Sequence, residues 1–242
     1  MSEILQCGHL SKSFGRVTVA DNINFSVTQG EAVGIIGPNG AGKTSLFNLI
    51  TGALQPDSGA ITFLNRDITK QNSASRCKRG IARSFQIPQP FSAMSVYENV
   101  LVAATHGANL SASKAQQVCI DALRQTQLLH RANNQAGSLT LLERKRLELT
   151  RALASSPSLL LLDEIAGGLT EAECQSLIDT IKTIHKSGVT IVWIEHVVHA
   201  LLAVVDRLIV LDFGKIIADG DPHTVIASKE VQQNYMGMAA NA

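Results

Sequence analysis

Residues 31–52 read EAVGIIGPNGAGKTSLFNLITG, and the order of properties within them decides the fold class. EAVGIIG is a short apolar run with strand character, GPNGAGKTS matches GxxxxGK[ST], and SLFNLITG continues as a helix. A strand that passes into a helix through a glycine-rich loop is built to hold phosphate. Glycine is needed where the backbone wraps the anion, because a Cβ blocks the close approach and the positive φ angles. Amides at the start of the following helix point at the anion, and the helix dipole adds to their pull. Gly37, Pro38, Asn39, Gly40, Ala41, Gly42, Lys43, Thr44 and Ser45 are therefore the candidate nucleotide-binding residues. In such a loop the lysine, Lys43, reaches the β and γ phosphates and the Thr44 hydroxyl ligates Mg²⁺.

A second signal lies in SLLLLDE, residues 158–164, where an apolar run ends in two carboxylates. A buried strand of this kind sets Asp163 at the carboxyl edge of a sheet, where it holds Mg²⁺ through water, and leaves Glu164 to polarise an attacking water. Acidic residues often follow strands, so the run carries weight only in combination. Beside a phosphate loop it is the other half of a Mg²⁺-ATP site, whose chemistry is hydrolysis of the γ-phosphate.

Around these segments the chain reads as α/β. ILQCGHL, VTVADNINFSV, EAVGIIG and GAITFLN have the mixed alternation of an antiparallel layer. IARSFQ, SLLLLDE and TIVWIEH are short apolar runs separated by helical stretches, the βαβ pattern of a largely parallel sheet with helices on its faces. Between them, SVYENVLVAATHG and SASKAQQVCIDALRQTQLL follow one another as helices, with no strand before Leu159. The expected fold is a P-loop core with a mostly parallel sheet, an N-terminal antiparallel β layer and an inserted α-helical subdomain. The boundaries expected are one domain over residues 1–242, the helical insertion at 88–158, and a C-terminal helix and tail at 222–242. Before that tail, DRLIVLDFGKIIADGDP reads as a hairpin that turns at Asp212, Phe213 and Gly214.

Composition narrows the partners. With 21 basic against 20 acidic residues there is no electrostatic case for nucleic acid or for an anionic lipid surface. Cys7, Cys77, Cys119 and Cys174 are scattered without CxxC spacing, which reads as four small buried hydrophobes kept as free thiols in a reducing compartment. The N-terminal MSEILQCGHLSKSF lacks the features of a signal peptide, and no apolar run approaches the length of a membrane span. The expectation is a cytoplasmic chain whose membrane role runs through a partner. His9, His106, His130, His185, His199 and His223 are dispersed and read as surface or packing residues.

Lys43, Gln86 at the end of IARSFQ, Asp163 with Glu164, and His196 in TIVWIEH follow one another in an order that resembles the ATP-binding subunits of ABC transporters, over nearly the whole chain. The resemblance implies ATP and Mg²⁺ as cofactors. It makes Gln86 the Q-loop glutamine, a contact to Mg²⁺ and water that also senses the membrane partner, and His196 the switch histidine at the γ-phosphate. Phe14, in SKSFGRVTV, matches the aromatic residue that stacks on adenine.

Two departures from the family stand out. Its LSGGQ signature is presented to the nucleotide of a second subunit, yet the corresponding residues here are Leu139, Thr140, Leu141, Leu142 and Glu143. Thr140 to Glu143 also fits T-x-x-E, a capping box that starts a helix. A helix N-terminus offers free amides and the positive dipole end to an anion whatever its side chains. Thr140 is thus expected to supply the hydroxyl, and the amides of Leu141 and Leu142 the glycine contacts. The second departure is EIAGGLT, where Ile165 and Thr170 replace the proline and the D-loop aspartate usual in the family.

RSFQIPQPFSAMSVYENVLVAA, LTLLERKRLELTRAL and IEHVVHALLAVVDRLIVLDFGKIIADGDP look like the ATP-binding subunits of branched-chain amino-acid importers, whose relatives handle urea, short amides and aromatic acids. That resemblance implies two transmembrane permease subunits, a second ATP-binding subunit in a homo- or heterodimer, and a periplasmic substrate-binding protein acting indirectly. It places the chain on the cytoplasmic face of the inner membrane. The alternatives are the ATPase of a lipopolysaccharide-type exporter and a soluble ABC ATPase without a membrane partner.

Overall fold

β1 (Glu3–Phe14) and β2 (Val17–Thr28) pair antiparallel and close on a tight turn in which Phe14 faces Val17. Gly15 takes φ +59° in that turn, a conformation in which a Cβ is unfavourable. The computed structural model describes residues 2–232. By its internal contacts the chain forms two units, one of the residues up to Asn72 together with those from Val192 onward, the other spanning Ser73–Ile191.

The first unit contains the antiparallel layer and the glycine-rich loop. After β2 come β3 (Ala32–Ile36), α1 (Lys43–Thr51), β4 (Ser58–Phe63) and the short β5 (Arg66–Asp67). One sheet runs β2-β1-β4-β5, the antiparallel layer expected from ILQCGHL, VTVADNINFSV and GAITFLN, whereas EAVGIIG, expected in the same layer, forms β3 and lies outside that sheet. All five residues of β3 are buried, so its side chains have no solvent face. β3 pairs parallel with β9 (Arg207–Asp212), and β9 turns back antiparallel into β10 (Lys215–Gly220). The turn lies at Phe213 and Gly214, where the sequence places it. β8 (Thr190–Ile194), entered at the unit boundary, is followed by α7 (Val198–Leu202). Arg207 ties this unit together. Its guanidinium meets Glu31 at 2.6 Å and Asp219 at 2.9 Å, and donates to the Ser26 carbonyl at 2.5 Å. α8 (Pro222–Ala227), capped by Asp221, and α9 (Lys229–Val231) follow; the rest of the expected tail lies outside the described residues.

In the second unit α2 (Ser73–Lys78) leads to β6 (Ile81–Ser84), which pairs parallel with β7 (Leu159–Asp163). Ile81 faces Leu159 and Ser84 faces Leu162, so the carboxyl ends of the two strands finish side by side. Between them lie α3 (Val96–Val102), a π-helical turn over Ala103–Gly107, α4 (Ala112–Gln125) and α5 (Leu141–Ala154); α6 (Glu171–Lys186) follows β7. A buried contact of 2.7 Å between the Thr126 and Thr150 hydroxyls joins the end of α4 to α5. Cys7, Cys119 and Cys174 are buried as expected, and burial pushes the Cys119 thiol up to about 11. Cys77 departs from that expectation and is only half-buried, because α2 is a six-residue helix that buries Arg76 instead.

Three helices of this unit start in the same way. Ser95 with Glu98, Thr140 with Glu143 and Thr170 with Glu173 each form a complete capping box, in which hydroxyl and carboxylate exchange bonds with backbone amides. Hydrogen bonds from the Ser95 amide and hydroxyl hold the Glu98 carboxyl below the ordinary range, and those from Thr170 do the same for Glu173. A carboxyl lowered on folding adds stability above its unfolded value, about 4.3, and that stability is lost as pH falls through the lower folded value. Urea midpoints of the Glu98→Gln, Glu173→Gln protein should therefore fall less steeply between about pH 5 and pH 3.5 than those of the wild type. Parallel slopes would contradict the assignment.

Candidate functional site

The loop of the first unit is shaped by close backbone contacts. A Cβ added to Gly37 would lie 2.1 Å from the Leu211 carbonyl oxygen, and one added to Gly42 would lie 2.2 Å from that of Val19. Gly42 also takes φ +103° and Gly40 φ +83°, so the chain bends here in ways L-residues rarely follow. The β9–β10 turn braces the loop from one side, with the Gly214 amide donating to the Ala41 carbonyl at 2.9 Å. Gly42 is the N-cap of α1 and makes no side-chain cap bond, an arrangement in which a helix N-terminus can meet an anion. Lys43 is 5% exposed, and its ammonium donates to the carbonyls of Gly37 at 2.8 Å and Pro38 at 3.0 Å. The cation is thus held over the loop by the loop's own oxygens. Thr44 and Ser45 follow in the first turn of α1.

Two further predicted residues belong to this unit. Phe14 ends β1 with 54% of its surface exposed, and the Lys12 ammonium lies 5.5 Å from its ring centre, itself held by Asp57 at 2.6 Å. An exposed ring on a rigid strand end is suited to stacking. His196 follows β8; its side chain is exposed, and its amide donates to the buried Glu195 carboxylate at 2.9 Å.

The second unit gathers the predicted carboxylates and the glutamine. Asp163 ends β7 and is buried; its Oδ2 meets Arg83 Nη2 at 2.5 Å. Its Oδ1 is buried without a hydrogen-bond partner. A buried carboxylate oxygen left in that state is costly, so the site is one a cation or its water would satisfy. Glu164 takes φ +45°, and its Oε2 accepts a bond of 2.5 Å from Gln86 Nε2. Lys145 Nζ donates to the carbonyls of Gln86 at 2.8 Å and Glu164 at 3.3 Å. Asp163, Glu164 and Gln86 are therefore brought together, with Arg83 and Lys145 as members that sequence reasoning missed. Each carried a signal: Arg83 is the one charge in the short, mostly buried strand β6, and Lys145 falls on the apolar stripe of α5, four residues before Leu149.

The signature position stands apart from this cluster. Thr140 caps α5: its oxygen accepts from the Glu143 amide at 3.4 Å, and Glu143 Oε2 accepts from the Thr140 amide at 2.9 Å. Burial pushes the Glu143 carboxyl up, but the bonds from Thr140 and from Arg131, at 2.7 Å, outweigh it and leave the group below the ordinary range. The box serves the amides of Thr140 and Glu143, whereas those of Leu141 and Leu142 lie in the first turn, where a helix provides no acceptor. Leu141 is 44% exposed, with Cδ2 3.4 Å from where a Cβ on Gly168 would lie. Thr170, at the D-loop position, is the N-cap of α6.

All the candidate metal donors, the Thr44 hydroxyl, the Asp163 carboxylate and the Gln86 amide, are hard oxygens, the set that suits Mg²⁺ rather than a softer metal. Within the second unit, the orphaned Asp163 Oδ1 is the oxygen that fits such an ion.

Comparison with known proteins agrees with these features. The family profile described as ABC transporter matches residues 20–167. The chain is 34% identical to the lipopolysaccharide export system ATP-binding protein LptB of Acidithiobacillus ferridurans, covering 98% of each chain. It is 31% identical to the high-affinity branched-chain amino acid transport ATP-binding protein BraF of Pseudomonas aeruginosa, covering 98% of each. It is 32% identical to the probable LivG of Methanocaldococcus jannaschii, over 97% of this chain and 98% of that one. Among solved structures, an ATP-binding cassette of an ABC transporter in its ADP conformation superposes with a TM-score of 0.89 at 31% identity, covering 98% of this chain and all of the other. Loop, carboxylates, fold and end-to-end similarity agree: the chain belongs to the ABC transporter family as an ATP-binding, ATP-hydrolysing cassette.

Proposed function

We propose that this cassette energises an importer of branched-chain or other amino acids or related small amides. Its relatives BraF and LivG, alike over their full lengths and named for branched-chain amino-acid transport, support that reading. The reading calls for two transmembrane permease subunits, with the cassette on their cytoplasmic face; among the described residues no helix is long and apolar enough to cross a membrane. A second ATP-binding subunit, identical or different, completes the assembly, and a periplasmic binding protein delivers the cargo. A lipopolysaccharide-type exporter is the second reading, favoured by the 34% identity to LptB.

The observation that carries the hydrolytic assignment is the contact of 2.5 Å between Gln86 and Glu164, beside an Asp163 with one carboxylate oxygen unpaired. In this mechanism Phe14 stacks on adenine, and residues 37–45 wrap the phosphates, with Lys43 neutralising the β and γ groups. Thr44, Asp163 and Gln86 are the residues that would hold Mg²⁺, which would offset the negative charge that builds on the phosphate oxygens. Glu164 accepts a proton from the attacking water once its carboxylate is released from Gln86. His196 contacts the γ-phosphate. The Thr140 hydroxyl and the Leu141 and Leu142 amides serve the nucleotide held by the second ATP-binding subunit, using the helix N-terminus where the family uses glycines.

Glu164→Gln should lose about 100-fold or more in turnover while still binding ATP, the loss expected on removing a general base. With ATP trapped, the same variant should sediment as a dimer in analytical ultracentrifugation, and a monomer at saturating ATP would contradict the shared site. Affinity capture from detergent-solubilised native membranes, read by mass spectrometry, decides the cargo class. Two permeases with a second ATP-binding subunit support the importer; lipopolysaccharide-transport components would replace it with the exporter.

A further inference from the structure

Lys145 lies on the buried side of α5 and is 4% exposed. An ammonium in that position must find acceptors, and Lys145 Nζ donates to the Gln86 carbonyl at 2.8 Å and the Glu164 carbonyl at 3.3 Å. Those carbonyls belong to the two residues whose side chains meet at 2.5 Å. Glu164 also holds φ +45°, a backbone state that a non-glycine residue keeps only where its surroundings enforce it. The Gly167 amide reaches the same carbonyl at 3.4 Å, so Lys145 brings the charged donor. One side chain of the helix that opens at the signature position thus grips the backbone on both sides of the carboxylate contact.

We propose that Lys145 is a positioning residue: through its ammonium, α5 fixes the backbone of Gln86 and Glu164 and with it the direction of the Glu164 carboxylate. The proposal rests on reading Glu164 as the group that activates water. The adenine and phosphate contacts are assigned to Phe14 and residues 37–45, and Thr44 and Asp163 keep their roles toward Mg²⁺, so a misdirected Glu164 carboxylate lowers turnover far more than nucleotide affinity.

Steady-state ATPase assays on wild type, Glu164→Gln, Lys145→Met and Lys145→Arg test this, with thermal midpoints taken with and without Mg²⁺-ADP. Lys145→Met should lose about tenfold in kcat with KM within about twofold and an unchanged midpoint rise on adding Mg²⁺-ADP. Lys145→Arg keeps the charge and several N–H donors and should hold kcat within about threefold. A wild-type kcat in Lys145→Met, a KM that rises as kcat falls, or no recovery in Lys145→Arg overturns the proposal. Full turnover in Glu164→Gln would remove the catalytic assignment and this proposal with it, whereas an inactive Glu164→Gln beside a fully active Lys145→Met overturns the positioning role alone. Independently of how Lys145→Met folds, ¹H–¹⁵N spectra of ¹⁵N-lysine-labelled wild type should contain a slowly exchanging ammonium signal, assigned by its loss in Lys145→Arg. It should shift when Mg²⁺, ADP and vanadate are added together, and a signal that does not move overturns the proposal.

Discussion

Two backbone carbonyls leave no room for a side chain in the nucleotide loop. Leu211 O and Val19 O stand 2.1 Å and 2.2 Å from where a Cβ would lie on Gly37 and Gly42. The loop is therefore lodged against β9 on one side and β2 on the other, and the Gly214 amide secures it at Ala41. That constraint links parts of the first unit remote in sequence. β2 belongs to the antiparallel layer, β9 to the parallel pairing with β3, and the β9–β10 turn adds the last bond. Only with the loop seated in this way does α1 begin where its amides can meet phosphate, with Lys43 following directly.

The second unit is organised by the need to satisfy buried charge. Arg83 pairs with Asp163, Lys145 with two carbonyls, and Glu148 with Arg151 at 2.8 Å while accepting the Gln89 amide at 3.1 Å. Removing one partner of such a pair strands the other in a poorly solvating interior, a loss of about 3–5 kcal/mol in typical cases. These contacts hold the ends of β6 and β7 in a defined relation. Asp163 Oδ1 is one of several buried polar atoms among the described residues that these contacts leave without a hydrogen-bond partner. Stability and chemistry thus draw on the same residues here.

How much of this was legible follows from how local each feature is. GPNGAGKTS and SLLLLDE could be read because phosphate binding and a strand-end carboxylate demand fixed residue types within a few positions, and the local chain conformation does the rest. The same holds for the capping box at Thr140 to Glu143 and for the turn at Phe213 and Gly214. Partnerships across long stretches were not legible: Arg83 meets Asp163 eighty residues away, and Lys145 meets Gln86 fifty-nine away, and neither spacing has a periodicity to announce it. Thr170 was read only as a departure from the D-loop, yet its local role is to cap α6. The six-residue α2 is too short to show a helical period, and the half-buried Cys77 it carries was placed wrongly for that reason.

The proposed mechanism assigns phosphate binding to the glycine-rich loop with Lys43, and metal binding and water activation to Asp163 and Glu164. A structure determined with Mg²⁺ and a non-hydrolysable ATP analogue tests it most directly. The Lys43 ammonium should leave the Gly37 and Pro38 carbonyls for the phosphates, Asp163 Oδ1 should gain the metal or its water, and Glu164 should part from Gln86. Nucleotide bound with all three of those contacts unchanged, or bound elsewhere, would contradict it.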